Sequence, residues 1–212
     1  MQDLPPSSPS ERSHQGGVAR FASVVTLLTF APVLAVPVFY FLVELLAPRA
    51  EVARDLLTAL LFGGLLPILV VVVWSRLRGQ ELDFPIRETR TVLLPSVAVI
   101  YVLGAIALSL LAAPFWVVLL MAGYAGNTAL VALLNFRWKV SVHTTGVAGP
   151  ASFLLFLSLP ASLLLFALLP LVGWSRWRLQ RHSLAELATG ACLGVLASVG
   201  QVLISLHVGV PV

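Results

Sequence analysis

Two short stretches of the chain bring together side chains that could handle a phosphate-like anion. The first is Lys139-Val140-Ser141-Val142-His143-Thr144-Thr145-Gly146, which sets an ammonium, hydroxyls and an imidazole just ahead of an apolar run. A helix starting there would aim unpaired backbone N–H groups and a positive dipole end at an anion. Helix capping by the hydroxyls, with Lys139 meeting lipid phosphates, is the competing account of the same residues. The second stretch is Ser175-Arg176-Trp177-Arg178-Leu179-Gln180-Arg181-His182-Ser183-Leu184-Ala185-Glu186. If the helix includes His182, the i, i+4 spacing puts His182 and Glu186 on one face. A carboxylate there holds one ring nitrogen and leaves the other to serve as nucleophile or base. Ser183 and Glu186 also have the spacing of a capping box, which needs no chemistry at all.

A third group, Asp83-Phe84-Pro85-Ile86-Arg87-Glu88-Thr89-Arg90, carries two guanidinium groups three residues apart. Arg87 and Arg90 could grip one phosphate, or simply belong to a solvated loop. His14 and His207 have no polar neighbourhood, and Cys192 is the single cysteine, so no intrachain disulfide can form. No metal or other cofactor is implied, because there is no Cys/His ligand set and the acids are scattered.

The elements that must position these residues are membrane helices. Of 212 residues, 59% are hydrophobic and only 10% charged, and the mean hydropathy is +1.00. Soluble domains carry roughly 25% charge, so this composition excludes a soluble enzyme, a nucleic-acid binder and a disordered regulator. The pI near 10.0 reflects twelve Arg and one Lys at the ends of apolar stretches, as expected of a chain orienting against anionic lipid.

Residues 1–17 read as a disordered tail, and 18–212 as a single transmembrane domain. The run Phe21–Ala47 is expected to be one retained helix, followed by spans Leu56–Trp74, Thr91–Ala113, Phe115–Leu134 and Leu184–Leu206. Each is close to the ~20 residues that cross a bilayer core. The uncharged run Gly146–Gly173 would make one helix of about 42 Å, but Pro160 interrupts it. A hairpin of two short helices turning near Pro160 leaves only Arg49 and Arg54 opposite the other eleven basic residues; a single span splits them 8 to 5. The positive-inside rule therefore favours the hairpin. The expected fold is an all-α polytopic bundle of about six to seven helices, integral to the cell (inner) membrane. Its N-terminus and basic face are expected in the cytoplasm.

The pieces together resemble the type 2 phosphatidic acid phosphatase superfamily, which also contains vanadium haloperoxidases. Ser175-Arg176, five residues, His182, three residues and Glu186, then Gly190 and Gly194, are similar to the family's third signature. Val140-Ser141-Val142-His143 looks like its second. The wording from Trp138 to His143, with Gly146 and Gly149, is similar to a short all-membrane bacterial or archaeal branch. That branch also carries an Arg-x-x-Arg loop, matched by Arg87 and Arg90, and a tyrosine like Tyr101. The resemblance covers roughly residues 60 to 200. Glu186 stands where the family has Asp, Val142 where it has Gly, and the family's first signature is absent as written.

The resemblance implies a membrane-embedded, metal-independent phosphatase of lipid phosphates or diphosphates, phosphatidate-type or isoprenoid. His182 would form a phosphohistidine, Glu186 would orient it, and His143 would protonate the leaving group. Arg176, Ser141 and one or more of Lys139, Arg87 and Arg90 would hold the phosphate oxygens. The expected partner is a membrane lipid, not nucleic acid. Two other classes remain: an inactive, lipid-binding or structural protein on the same frame, and a transporter using Asn127, Thr128 and Gln201 at mid-membrane.

Overall fold

The computed structural model describes the backbone of residues 9–79 and 87–208, and the side chains of 16–79 and 91–208. Among these the regular structure is entirely helical: α1 (Pro9–Leu28), α2 (Ala31–Leu46), α3 (Val52–Leu60), a π-helical turn at Leu61–Leu65, α4 (Leu66–Arg78), α5 (Arg87–Leu110), α6 (Phe115–Asn135), α7 (Val142–Phe156), α8 (Ala161–Arg178) and α9 (Leu184–His207). Four helical stretches, Val52–Arg78, Thr91–Leu110, Phe115–Asn135 and Leu184–His207, are long and apolar enough to cross a bilayer. The protein is a polytopic helical membrane bundle.

The first apolar run departs from the expectation of one helix. It breaks at Thr29–Phe30 into α1 and α2, bent by 51°. Pro32 supplies the reason: it lacks the N–H that would continue the helix and its ring crowds the preceding turn. Phe30 instead adopts an extended N-cap conformation (φ −60°, ψ 128°), with proline in the first turn of α2, where a missing donor is tolerated. The Thr29 hydroxyl donates back to the Val25 carbonyl at 2.7 Å, closing the end of α1. The helical trace also starts at Pro9, inside the segment expected to be a disordered tail; Pro9 followed by Glu11 suits a helix start. Residues 1–8 lie outside the described residues.

Around Pro160 the chain turns back on itself, and α7 and α8 pack side by side. At 1.5 Å per residue the fifteen residues of α7 span about 22 Å, short of a full crossing. The turn rests on Ser158 in the left-handed region (φ 52°), with Ser158 N–H donating to Leu155 O and Leu159 N–H to Leu154 O. That pair of bonds is a Schellman stop. It places the N-terminus of α7, the C-terminus of α8 and the N-terminus of α9 at the same end of the bundle.

Helices α7 and α9 run parallel at very close range. A Cβ at Gly190 would run into the Thr144 hydroxyl and come within 2.6 Å of the Ser141 carbonyl; one at Gly194 would sit 2.7 Å from the Thr145 carbonyl. Small residues four apart admit this backbone approach, as is common between membrane helices. The core beside them is aromatic. Tyr101 of α5 packs on Tyr124 of α6 (5.5 Å between ring centroids), and Tyr124 on Phe39 of α2 (5.6 Å).

Candidate functional site

Ser183 starts α9. Its hydroxyl accepts the Glu186 N–H (3.3 Å), and Glu186 Oε2 accepts the Ser183 N–H (3.1 Å), completing the capping box. The same oxygen, Oε2, also lies 3.0 Å from His182 Nδ1. The two accounts of Glu186 open at the sequence level thus hold together in one carboxylate. The His182 side chain is fully buried in this pair and that of Glu186 is 22% exposed.

His182 is presented by the way α8 ends. Gln180 takes a left-handed conformation (φ 54°); its N–H donates to Trp177 O, and the Arg181 N–H donates to Arg176 O at 3.0 Å. The chain therefore reverses within six residues, from Arg176 on the last turn of α8 to His182 before α9. Arg176 is 0% exposed. Its neighbour Ser175 is buried too, with its hydroxyl on Val172 O and 3.4 Å from Thr26 Oγ1 of α1. Burying a guanidinium in a membrane bundle is costly unless anionic or carbonyl oxygens surround it.

The N-terminus of α7 completes the cluster. Ser141 is its N-cap, accepting from the Thr144 N–H at 3.4 Å, while the Ser141 N–H reaches Glu186 O across to α9. The Thr144 and Thr145 hydroxyls do structural work: they donate to Leu187 O (3.0 Å) and Gly190 O (2.9 Å), and both also meet the Ser141 carbonyl. They staple α7 to α9. Lys139 Nζ donates to the Arg181 carbonyl at 2.8 Å, tying the loop before α7 to the loop before His182. His143, 6% exposed, lies against Phe30 with ring centroids 5.8 Å apart.

Beside His143 opens a cleft of about 310 Å³, walled by Phe30 and Val33 of the α1–α2 bend and by Ile68, Val71 and Val72 of α4. Its polar lining is His143 and Arg181, with Ser23 and Thr26 of α1. Nothing in the sequence singled out Arg181 or Phe30, because both come to the cleft through tertiary packing. Arg87 and Arg90 fall in the first turn of α5, and their side chains lie outside the described residues. Among the described residues no three His, Cys, Asp or Glu side chains form a metal-binding group.

Of the residues expected in the site, the fold brings Ser141, His143, Arg176, His182 and Glu186 to one end of α7, α8 and α9, with Lys139 bracing the loops between them. Two helix N-termini add their partial positive charge there. The arrangement suits a phosphate group. Asn127 and Gln201 behave differently: Asn127 Nδ2 donates to Ser198 Oγ (3.2 Å) and Gln201 Nε2 to Leu119 O (2.8 Å), joining α6 to α9 as interhelical hydrogen bonds do.

Fold and site define a helical membrane protein with a buried arginine and a histidine–carboxylate pair at one end of the bundle. No family model, no curated protein and no solved structure matches the chain.

Proposed function

We propose that this protein is a membrane-embedded lipid phosphate phosphatase. The observation that carries the reading is the His182 Nδ1–Glu186 Oε2 contact at 3.0 Å, made beside a fully buried Arg176. With Nδ1 facing the carboxylate, Nε2 is the nitrogen that attacks phosphorus. A P–N bond forms as the P–O bond to the lipid breaks, and His143 delivers a proton to the departing alkoxide. Water then attacks the phosphohistidine, the P–N bond breaks, and inorganic phosphate leaves with His182 restored. Glu186 stabilises the imidazole while it is cationic. Arg176 and Ser141, with Lys139, Arg87 or Arg90, hold the equatorial oxygens, where phosphoryl transfer gains most of its rate.

The largely apolar cleft that also carries His143 and Arg181 supports a substrate with a lipid tail and an anionic head, a monophosphate or diphosphate. The distribution of basic residues favours a site on the cytoplasmic side of the cell membrane under the positive-inside rule. A second reading draws on the capping box itself: Glu186 is already employed in starting α9, so a lipid-binding or structural protein could keep the same geometry without turnover.

The test is phosphate release by the purified protein from a panel of lipid phosphates, in the presence of EDTA. The expected result is turnover that falls below detection in His182→Ala. Folded, monodisperse protein that releases no phosphate from any lipid would reject the phosphatase and leave the structural reading.

A further inference from the structure

The cleft between α1 and α4 carries a cation that the proposed reaction does not use. Arg181 is half-buried and lines the cleft together with His143. Its backbone is tied on both sides: its N–H donates to Arg176 O (3.0 Å), and its carbonyl accepts from Lys139 Nζ (2.8 Å). The left-handed turn at Gln180 thus leaves Arg176 enclosed in the bundle and Arg181 on the cleft wall.

The other polar lining groups are engaged with the protein. Ser23 donates to Ala19 O of its own helix (3.0 Å), and Thr26 Oγ1 lies 3.4 Å from Ser175 Oγ. Among the described residues no carboxylate lines the cleft, so the charge it presents is positive. The remaining lining is apolar, with Leu27 and Phe30 at the α1–α2 bend and Val71 and Val72 on α4. Helix α1 packs on α8 and α4 on α5, so the two walls are held by different neighbours. Apolar walls with one fixed guanidinium are the complement of an amphiphilic anion. Size limits the chain. A cavity of about 150 Å³ takes up benzene, so one of about 310 Å³ has room for on the order of a dozen carbons, which is one hydrocarbon chain rather than two.

We propose that this cleft binds one chain of a phosphate-headed lipid and that Arg181 holds the head. The choice of phosphate rests on the phosphatase reading; the single chain and the positive charge come from the cleft itself. Arg181 is then a specificity-determining residue, separate in the fold from the enclosed Arg176.

The test is thermal unfolding of the full chain in dioleoylphosphatidylcholine nanodiscs titrated with dodecylphosphonate, whose P–C bond a phosphatase does not hydrolyse. A ligand of the folded state raises the midpoint as it binds. The half-saturating concentration is expected to rise about 10-fold or more in Arg181→Gln, which loses a charged hydrogen bond, and to recover most of the way in Arg181→Lys. Val72→Trp crowds the chain space from α4 and should also weaken binding. Arg178→Gln, outside the cleft lining, should leave it unchanged, and dodecanoate, the carboxylate counterpart, should bind more weakly. No rise with dodecylphosphonate, or a rise that folded Arg181→Gln or folded Val72→Trp leaves unaltered, overturns the site. A rise weakened equally by Arg178→Gln reports surface charge alone and overturns it too, while equal binding of dodecanoate overturns the phosphate head. Turnover is not needed, so dodecylphosphonate binding by a protein that releases no phosphate rejects the phosphatase and keeps the site.

Discussion

The chain contains the same phrase, Trp-Ser-Arg-x-Arg, twice, at Trp74–Arg78 and Trp174–Arg178, each in the last turns of a helix. Ser75 and Ser175 are both buried. The arginines that follow have opposite fates: Arg76 is exposed, whereas Arg176 is wholly enclosed. In the first copy Arg78 lies over the Trp74 ring, 5.1 Å from its centroid, and the helix stops on Gly79 in a left-handed cap. In the second copy α1 covers the helix end, with Phe21 on Trp174 (5.9 Å) and Thr26 on Ser175, and the stop is Gln180. Local sequence sets the helix end in both places. What turns the second into a site is the cover supplied by α1 and the reversal that brings His182 back toward Arg176.

That contrast can be broken by substitution, and the largest effect is expected at its centre. Arg176→Ala leaves oxygens that faced a buried cation without it, and should cost about 3–5 kcal/mol of stability, whereas Arg76→Ala should stay within about 0.5 kcal/mol. Thermal unfolding in detergent reads both. Under the proposed reaction, Arg176→Lys that still folds would lose roughly 10²-fold or more in phosphate release. The two helix stops should respond with opposite signs. Gly79→Ala forces a side chain into the left-handed region and should destabilise by about 1 kcal/mol, while Gln180→Gly relieves that strain and should stabilise by roughly 0.5–1 kcal/mol. Equal responses at the two positions would show that the Schellman stop before His182 is not under the strain its φ implies. The smallest effect belongs to the first copy: Trp74→Leu removes the ring beneath Arg78, and cation–π contacts at exposed sites are worth about 0.5–1 kcal/mol.

The same two regions show what could be read in advance. Apolar runs are a near-continuous signal, so the spans beginning near Leu56, Thr91, Phe115 and Leu184 agree with the helices to within a few residues. The hairpin at Pro160 was legible only indirectly, through the sidedness of the arginines. The Ser183–Glu186 cap was legible because its partners are three residues apart; the pairing of His182 with Glu186 was expected from a helix that included His182, whereas α9 begins at Leu184 and the capping carboxylate reaches back past the N-cap to the ring. The break at Thr29–Phe30 was missed: Pro32 lies in an unbroken apolar run, and hydropathy is blind to a missing N–H. The Thr144 and Thr145 staples were missed because their acceptors, Leu187 and Gly190 carbonyls, are more than forty residues away and carry no side-chain signature. The enclosure of Arg176 was invisible for the same reason, since its neighbour copy at Arg76 has the same local wording.

One oxygen atom, Glu186 Oε2, serves both the N-cap amide of α9 and the ring of His182. The amide of Ser183 is therefore a natural reporter on the imidazole: when the first turn of α9 frays, the ring loses its anchor in the same event. Exchange of that single amide proton with solvent should track how long His182 stays correctly turned. Position 186 is then doubly constrained, because a substitution that removes Oε2 disturbs the helix start and the histidine together.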